Sequence, residues 1–526
     1  MDATEDLLNV PTKCRVHDLL AAAAKRAPES VAVGNELEHL AYQRVCTEID
    51  AYAKGLLALG VKRGDRVAML TPPSIDFWIA FHATVSIGGI WLGINPRYQR
   101  RDFGHLLADS DPSVILAVSP FDDRDYCQEL STLAKAGIPI ISHGDATAGA
   151  NPLSQFLKDG KTISDAALAS ARRTVDPEDA AIIVYTSGTT GKPKGAMLSH
   201  RAIVSSAVVN ARWMGHDALK VCVCAAPVNH VGAINNICMN VLAGCGAVIF
   251  YPRVDIPALA ALSKKEKPTY LVSSPTGFSM MLSQPNAVGT RLAHTQLIVF
   301  GGAATPRSVL ELVAPGGARL SSVYGQTETC GIITHTDETT DLEVLSATIG
   351  KVLPGADLRV AGPDGSELPV GETGEIQIRG PYVMSGYFRN PEATREAFTA
   401  DGFLKTGDLG LIRADGNLVF VGRLKEMFKS GGYNIYPVEI EQAISEHPAV
   451  SLVAVLPMNH PTFQEVGHAF VQPRPHSEVT AGELRDFLRD RIANYKIPKV
   501  FTIDAELPTL PNGKVDKMAL RSRISS

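Results

Sequence analysis

The sequence predicts an α/β protein: a large N-terminal domain of layered α/β subdomains with a β-rich subdomain attached, followed by a small α+β C-terminal domain. Three observations carry this expectation. The chain has 526 residues, 45% of them hydrophobic, too many for one ordinary domain and enough for sizeable cores. Apolar runs of strand length alternate with stretches of helical spacing as far as residue 300, the pattern of parallel α/β layers. From Gly350 onward short strands divided by Gly and Pro take over, and past Gly422 and Arg423 lies a unit of about a hundred residues, a size that one core sustains.

In chain order, residues 17–27 and 46–57 have helical spacing, and residues 63–70 read as a turn followed by a strand. Residues 77–86 read as a helix and 90–92 as a short strand; the whole apolar region 79–94 is too short for a membrane span and suits a buried helix. Strands follow at 114–118 and 138–141, then a surface loop at 144–149. A helix at 202–213 precedes strands at 221–225, 244–251, 270–274 and 297–300. The β-rich part places strands at 357–360, 374–379, 410–412 and 418–421. In the last unit, residues 437–444 begin a helix whose Glu439 and Glu441 suit its first turn, strands occupy 452–456 and 468–472, and a helix covers 481–492. The domain boundary is set near Lys425, giving residues 1–424 and 425–526.

Composition removes several functions. A net charge of −5 gives no electrostatic reason for a nucleic-acid partner. The acidic start, with Asp2, Glu5 and Asp6, lacks the basic and apolar parts of a secretory signal, which leads to an expected cytoplasmic location without a membrane span. Eight cysteines without regular spacing are expected to be reduced core thiols, and Cys222 and Cys224 are too closely spaced for a zinc knuckle.

Chemistry concentrates first at residues 185–195. Ala181, Ile182, Ile183 and Val184 read as a buried strand, and the dense Gly, Ser and Thr run after them must be a loop, with a second strand beyond it. Thr186, Ser187, Thr189 and Thr190 offer hydroxyls, Gly188 and Gly191 offer unencumbered backbone N–H groups, and Lys192 and Lys194 offer cations. That is a phosphate cradle. It is not a Walker A loop, because two residues separate Gly188 from Gly191 and Pro193 follows Lys192. The alternative, a flexible surface linker, is opposed by the flanking strand. Gly301, Gly302, Ala303 and Ala304 follow the strand ending at Phe300, and small residues there let a flat ligand approach the backbone. Residues 322–328 follow another strand and put Tyr324, Gly325, Thr327 and Glu328 on one loop; Tyr324 can stack on a base and Glu328 can bind Mg²⁺ through oxygen. Taken singly, these two segments also read as a glycine turn and an exposed polar loop.

Their order resembles the acyl-adenylate-forming superfamily of acyl-CoA synthetases, luciferases and peptide-synthetase adenylation domains. After the phosphate loop, the small-residue segment and the Tyr324 to Glu328 segment come Thr406, Gly407 and Asp408, then Gly422 and Arg423, then Asn512, Gly513 and Lys514. The resemblance covers essentially the whole chain, most closely that of carboxylate–CoA ligases. It implies a mobile C-terminal domain and a two-step reaction, in which a carboxylate attacks the α-phosphate of Mg-ATP and a thiol then takes the acyl group from acyl-AMP.

The resemblance also implies roles. The phosphate loop from Thr186 to Lys194, Gly302, Ala303, Ala304, Tyr324 and Gly325 hold the nucleotide. Asp408 accepts the ribose hydroxyls and Arg423 donates to ribose or phosphate. Thr327 bonds the α-phosphate, and Glu328 with Thr186 carries Mg²⁺. Lys514 reaches the carboxylate and α-phosphate oxygens where charge develops. Lys425 is the hinge, where many members have Asp and some Lys. After the swing Lys429, Gly431, Gly432 and Asn434 line the way for the thiol of CoA.

Residues 225–236 carry no Asp of the kind that pairs with an amino-acid substrate, which favours a neutral acid. His230 matches the residue that aryl-CoA ligases place beside the substrate; otherwise it is a satisfied loop histidine. Ser274, Gly301, Gly302, Ala303, Cys330, Gly331 and Ile333 are further wall candidates, small or apolar, suiting an aryl, alicyclic or short to medium alkyl acid. The acceptor is expected to be CoA, with a separate carrier protein as the alternative and a non-catalytic nucleotide sensor as the reading from another class. Both a monomer and a homodimer stay open.

Overall fold

The computed structural model describes residues 14–144, 149–186, 193–282, 293–302, 305–510 and 515–524. The first helix, Val16–Arg26, starts on a capping box between Arg15 and Asp18 and buries Val16, Leu20 and Ala23. Helix Tyr42–Ala58 lies beside it, and helix Ile75–Ser86 begins where the Ser74 side chain accepts the Phe77 N–H at 3.1 Å. Phe77, Trp78, Phe81 and nearly every other side chain of this last helix are buried, as expected of a helix apolar all round.

The apolar region 79–94 is not one helix. The helix stops at Ser86, a turn at Gly88 (φ +80°) and Gly89 reverses the chain, and strand Ile90–Ile94 follows. This strand is central to an eight-stranded sheet ordered Gly386–Tyr387, Lys194–Ser199, Ala180–Thr186, Ile90–Ile94, Arg66–Leu70, Val114–Ala117, Ile140–Ser142 and Asn151–Pro152. From Ala180–Thr186 outward the pairing is parallel, but Lys194–Ser199 and Gly386–Tyr387 add on antiparallel. The expected parallel layer is therefore a mixed sheet, because a hairpin brings Lys194–Ser199 straight back along its neighbour.

A four-stranded sheet joins Val221–Cys224 and Ala247–Phe250 to Val31–Gly34 and His39–Ala41, and a five-stranded sheet runs Tyr270–Ser273, Leu297–Phe300, Arg319–Gln326, Gly331–His335 and Lys351–Val352. In the latter, strand Arg319–Gln326 extends through Tyr324 and Gly325, so these residues sit on a strand end rather than on a loop as expected. The β-rich part is an antiparallel sheet of Asp357–Ala361, Gly374–Arg379, Leu404–Ile412 and Leu418–Arg423. Its third strand starts well before residue 410, which places Asp408 inside the sheet. The C-terminal α+β domain pairs Val450–His460 with Gln464–Pro473, covers them with helices Pro437–Ser445 and Ala481–Arg489, and has its own apolar cluster around Phe428, Ile440, Val455, Val471 and Leu484. All eight cysteines are free thiols, five of them buried.

The large core also holds neutral imidazoles. His82, His200 and His335 are 0%, 0% and 1% exposed. Burial pushes His82 and His335 down to about 3 and His200 to about 4, from an ordinary 6.5. Below pH 6.5 the unfolded chain therefore takes up protons that the folded chain refuses. Stability is fully present above that pH and falls toward the folded values, by about 1.4 kcal/mol per imidazole per pH unit. The His82 ring nitrogens have no hydrogen-bond partner among the described residues. His82→Leu is expected to flatten the fall in urea-unfolding free energy between pH 6.5 and 5 by about one proton's worth of slope. An unchanged slope would mean that His82 already titrates in the folded protein.

Candidate active site

The phosphate-loop segment hangs from a hairpin. Strands Ala180–Thr186 and Lys194–Ser199 place Tyr185 opposite Gly195 and Thr186 opposite Lys194. The Thr186 hydroxyl donates across the stem to the Lys194 carbonyl at 3.4 Å. Ser187, Gly188, Thr189, Thr190, Gly191 and Lys192 lie outside the described residues, while both ends of the loop are fixed in the eight-stranded sheet.

A second group forms where strand Arg319–Gln326 meets the β-rich sheet. Asp408 and Arg423 face each other across adjacent strands. The Asp408 carboxylate, only 6% exposed as a residue, accepts the Tyr324 hydroxyl at 2.7 Å and lies 3.4 Å from Arg423 Nε. Burial and the nearby Asp408 charge push the Tyr324 hydroxyl well up, so it stays a donor. Each carboxylate oxygen keeps lone-pair capacity for an outside donor. Gly325 is dictated by close approach: a Cβ there would sit 1.8 Å from the Gly331 carbonyl oxygen. A bulge between Tyr324 and Gly325 then lets the chain enter the short 3₁₀ turn Thr327–Thr329.

That turn carries Thr327 and Glu328. Burial pushes the Glu328 carboxyl up, opposed by hydrogen bonds from its own backbone and from the Tyr387 hydroxyl, the latter 2.9 Å from Oε1. The Met384 N–H binds the Glu328 carbonyl at 2.8 Å, so the segment bearing Tyr387 holds both ends of this residue. The Tyr387 ring centroid lies 5.1 Å from Lys194 Nζ. Two hydrogen bonds leave a carboxylate with further acceptor capacity. Among the described residues no group of three or more His, Cys, Asp or Glu could hold a metal. One half-satisfied, half-buried carboxylate fits Mg²⁺ that arrives with nucleotide phosphates, since that ion keeps most of its ligands as water and phosphate oxygen.

The acid-pocket candidates converge around a π-helical turn, Ile234–Met239, that follows His230 and helix Val231–Ala233. Asn235 donates to the Cys330 carbonyl at 2.7 Å, and Asn236 accepts the Ile332 N–H at 3.1 Å. These bonds seat Cys330, Gly331 and Ile333 against the His230 segment; Cys330 and Ile333 are fully buried. Ser274 caps helix Pro275–Leu282 through the Gly277 N–H at 3.2 Å, and the Gly301 N–H bonds the Ser273 carbonyl at 3.2 Å, so Ser274 and Gly301 end neighbouring parallel strands. Gly302 follows at φ +83°, whereas Ala303 and Ala304 lie outside the described residues.

At the start of the C-terminal domain, strands Phe428–Ser430 and Tyr433–Ile435 put Lys429 opposite Asn434, with both side chains exposed. The connection is a two-residue hairpin turn in which Gly431 and Gly432 have φ of +56° and +87°. Two consecutive positive φ values require this pair of glycines. Tyr433 stacks on Tyr495 at 4.4 Å, and Phe463 and Lys499 lie beside the turn. Lys425 sits between two differently anchored residues. The Leu424 N–H bonds the Gly407 carbonyl at 2.9 Å, and Glu426 bonds Lys517 at 2.7 Å, which also reaches Glu441 at 3.0 Å. Lys514 lies outside the described residues.

Several of these residues escaped sequence reasoning. Tyr387 lies in a short edge strand with no distinguishing pattern. Asn235 and Asn236 carried a signal in hindsight, as adjacent amides in a helical stretch that is apolar apart from them and Asn240. An open cleft reaching Asn229, with Asn95, Arg97 and the paired Asp122 and Arg253 among its walls, gathers residues from separate strand ends.

The chain matches known proteins over nearly its whole length. The AMP-binding enzyme family profile matches residues 20–388, and that of the AMP-binding enzyme C-terminal domain matches residues 439–514. A feruloyl-CoA synthase of Amycolatopsis sp is 31% identical over 503 residues, 95% of this chain and 97% of the relative. An indoleacetate–CoA ligase of Aromatoleum aromaticum is 31% identical over 500 residues, 95% and 96% of the two chains. O-succinylbenzoate coenzyme A synthetase from Bacillus subtilis, solved in complex with ATP and magnesium ion, superposes with a TM-score of 0.82 at 26% identity, covering 97% of this chain and 99% of its own.

Proposed function

Because the chain belongs to the AMP-binding enzyme family and is an acyl-CoA synthetase of the adenylate-forming superfamily, we propose that it activates an aryl-substituted carboxylic acid through an aryl-acyl-AMP and passes the acyl group to CoA. The observation that carries this reading is the pocket wall. Residues 225–236 supply no carboxylate, and the neighbouring Cys330, Ile332 and Ile333 are buried and apolar, with Gly301 and Gly331 beside them, walls that suit an uncharged ring. The names of the relatives, which act on feruloyl and indoleacetate groups, point the same way.

In this reading Asp408 accepts the ribose hydroxyls, with Tyr324 and Arg423 holding its carboxylate in place. Thr186, Lys194 and the loop between them take the β- and γ-phosphates. Thr327 donates to the α-phosphate, and Lys514 meets the charge that builds on it as the acid's carboxylate oxygen attacks and pyrophosphate leaves. Mg²⁺, held through Glu328 with Thr186 nearby, would neutralise phosphate charge. His230 borders the acid and turns with the second step, in which the thiol sulfur attacks the acyl carbon and AMP departs. The swing of residues 425–526 about Lys425 would bring Lys429, Gly431, Gly432 and Asn434 to that thiol. No helix among the described residues is long and apolar enough to cross a membrane, and eight free thiols suit the reducing cytoplasm.

The test is pyrophosphate release with ferulate, indoleacetate, benzoate, cyclohexanecarboxylate and octanoate, followed by CoA or holo carrier protein with the best acid. Preference for an aryl acid and formation of its CoA thioester are expected; preference for octanoate would overturn the acid assignment. A Cβ at Gly432 meets no atom within 4 Å, so a larger side chain there projects into open space where the thiol arm would pass. Gly432→Leu, despite a backbone cost of about 1–2 kcal/mol, is expected to slow thioester formation while leaving pyrophosphate release in place. Equal loss in both half-reactions would remove Gly432 from the thiol path.

A further inference from the structure

Among the described residues, Tyr387 touches both the carboxylate and the cation assigned to the nucleotide phosphates. Its hydroxyl donates to Glu328 Oε1 at 2.9 Å, and its ring face lies 5.1 Å from Lys194 Nζ. The two partners come from unrelated segments, Glu328 from the 3₁₀ turn after strand Arg319–Gln326 and Lys194 from the stem of the phosphate-loop hairpin. Tyr387 is itself fixed on every side. It pairs with Ala196 in the sheet, its N–H donates to the Thr394 hydroxyl at 2.9 Å, and the next residue, Phe388, donates its N–H to the Gly195 carbonyl at 2.7 Å. A phenol carries its proton at neutral pH, and an ionised carboxylate only accepts, so the hydroxyl is the donor of this bond.

We propose that Tyr387 is a positioning residue for phosphate and metal binding: its hydroxyl orients the Glu328 carboxylate toward Mg²⁺ while its ring seats the Lys194 ammonium, so one rigid side chain sets the spacing of the two charges. The inference rests on the reading of Glu328 as the metal carboxylate. Hydrogen-bonding partners of a metal-ligating carboxylate usually contribute about 10–100-fold to metal affinity. A phenol suits this task because two stiff torsions place a donor and a cation-binding face at a fixed distance.

The experiment compares wild type, Tyr387→Phe, Tyr387→Leu, Glu328→Gln and the Glu328→Gln/Tyr387→Phe double variant. Binding of Mn²⁺, as a paramagnetic substitute for Mg²⁺, is followed by electron paramagnetic resonance in the presence of a non-hydrolysable ATP analogue. Steady-state half-saturation by Mg²⁺ and by ATP is measured alongside. Tyr387→Phe is expected to weaken Mn²⁺ binding about tenfold or more and to raise half-saturating Mg²⁺ in parallel, with half-saturating ATP at saturating metal unchanged. Tyr387→Leu, which also removes the ring beneath Lys194, is expected to raise half-saturating ATP as well. The double variant is expected to bind Mn²⁺ no more weakly than Glu328→Gln.

Wild-type Mn²⁺ affinity in Tyr387→Phe, or a loss that adds fully to that of Glu328→Gln, would overturn the inference. Wild-type affinity in Glu328→Gln would instead overturn the metal role of Glu328. Phenylalanine preserves the packing of the ring, and a wild-type melting temperature in Tyr387→Phe separates positioning from folding.

Discussion

Lys514→Ala is expected to slow acyl-AMP formation by about 10²–10³, the usual effect of removing one preorganised donor from a developing oxyanion. The lysine follows Asn512 and Gly513, and the proposed swing of the C-terminal domain would carry it to and from the nucleotide. The effect belongs to the first half-reaction alone. Pyrophosphate release in a single turnover with acid and ATP should fall by that factor, while thioester formation from supplied acyl-AMP and CoA should stay within about threefold of wild type. Equal losses in both halves would assign Lys514 to folding or to general nucleotide binding instead.

Asp408→Ala should produce the second large effect, on nucleotide binding. Two hydrogen bonds from ribose hydroxyls to a charged acceptor, at about 1.5 kcal/mol each, correspond to a rise of about 10²-fold in half-saturating ATP. Alanine also strips the Tyr324 hydroxyl of its acceptor and leaves a buried donor unpaired, which lowers stability by about 1–3 kcal/mol. Asp408→Asn separates the two consequences, because its amide oxygen can still accept from Tyr324 while the charge facing Arg423 and the nucleotide is lost. Nucleotide binding should therefore weaken in both variants, and unfolding free energy should fall chiefly in the alanine variant. Half-saturation by ATP within about threefold of wild type in Asp408→Ala would remove the carboxylate from the sugar site.

The layered α/β organisation and most strands were legible because buried parallel strands are continuous apolar runs, and Val, Ile and Leu at 181–184, 114–117 and 297–300 announce them without help from tertiary contacts. The helix at 77–86 and the strand at 90–92 were legible too, although both are buried on all sides and lack periodicity, because Gly88 and Gly89 mark the break between them. Asp408 was legible as a motif but not as part of a strand, since the Thr and Gly before it have the composition of a loop. The antiparallel return of Lys194–Ser199 is a local hairpin with Ala180–Thr186, but the edge strand that adds beyond it, Gly386–Tyr387, lies far along the chain, where no local pattern reveals it. For the same reason Tyr387 was invisible, as its importance lies entirely in whom it meets.

The anchoring on either side of Lys425 bears on what the nucleotide experiences during a catalytic cycle. Leu424 is tied to Gly407, next to Asp408, while Glu426 is tied through Lys517 to the helices of the small domain. On the proposed swing about Lys425, Asp408, Tyr324 and the strands beneath them would stay in place. The sugar would be held at the axle while the catalytic faces are exchanged at the rim, and the acyl-AMP would pass from one half-reaction to the next without being moved.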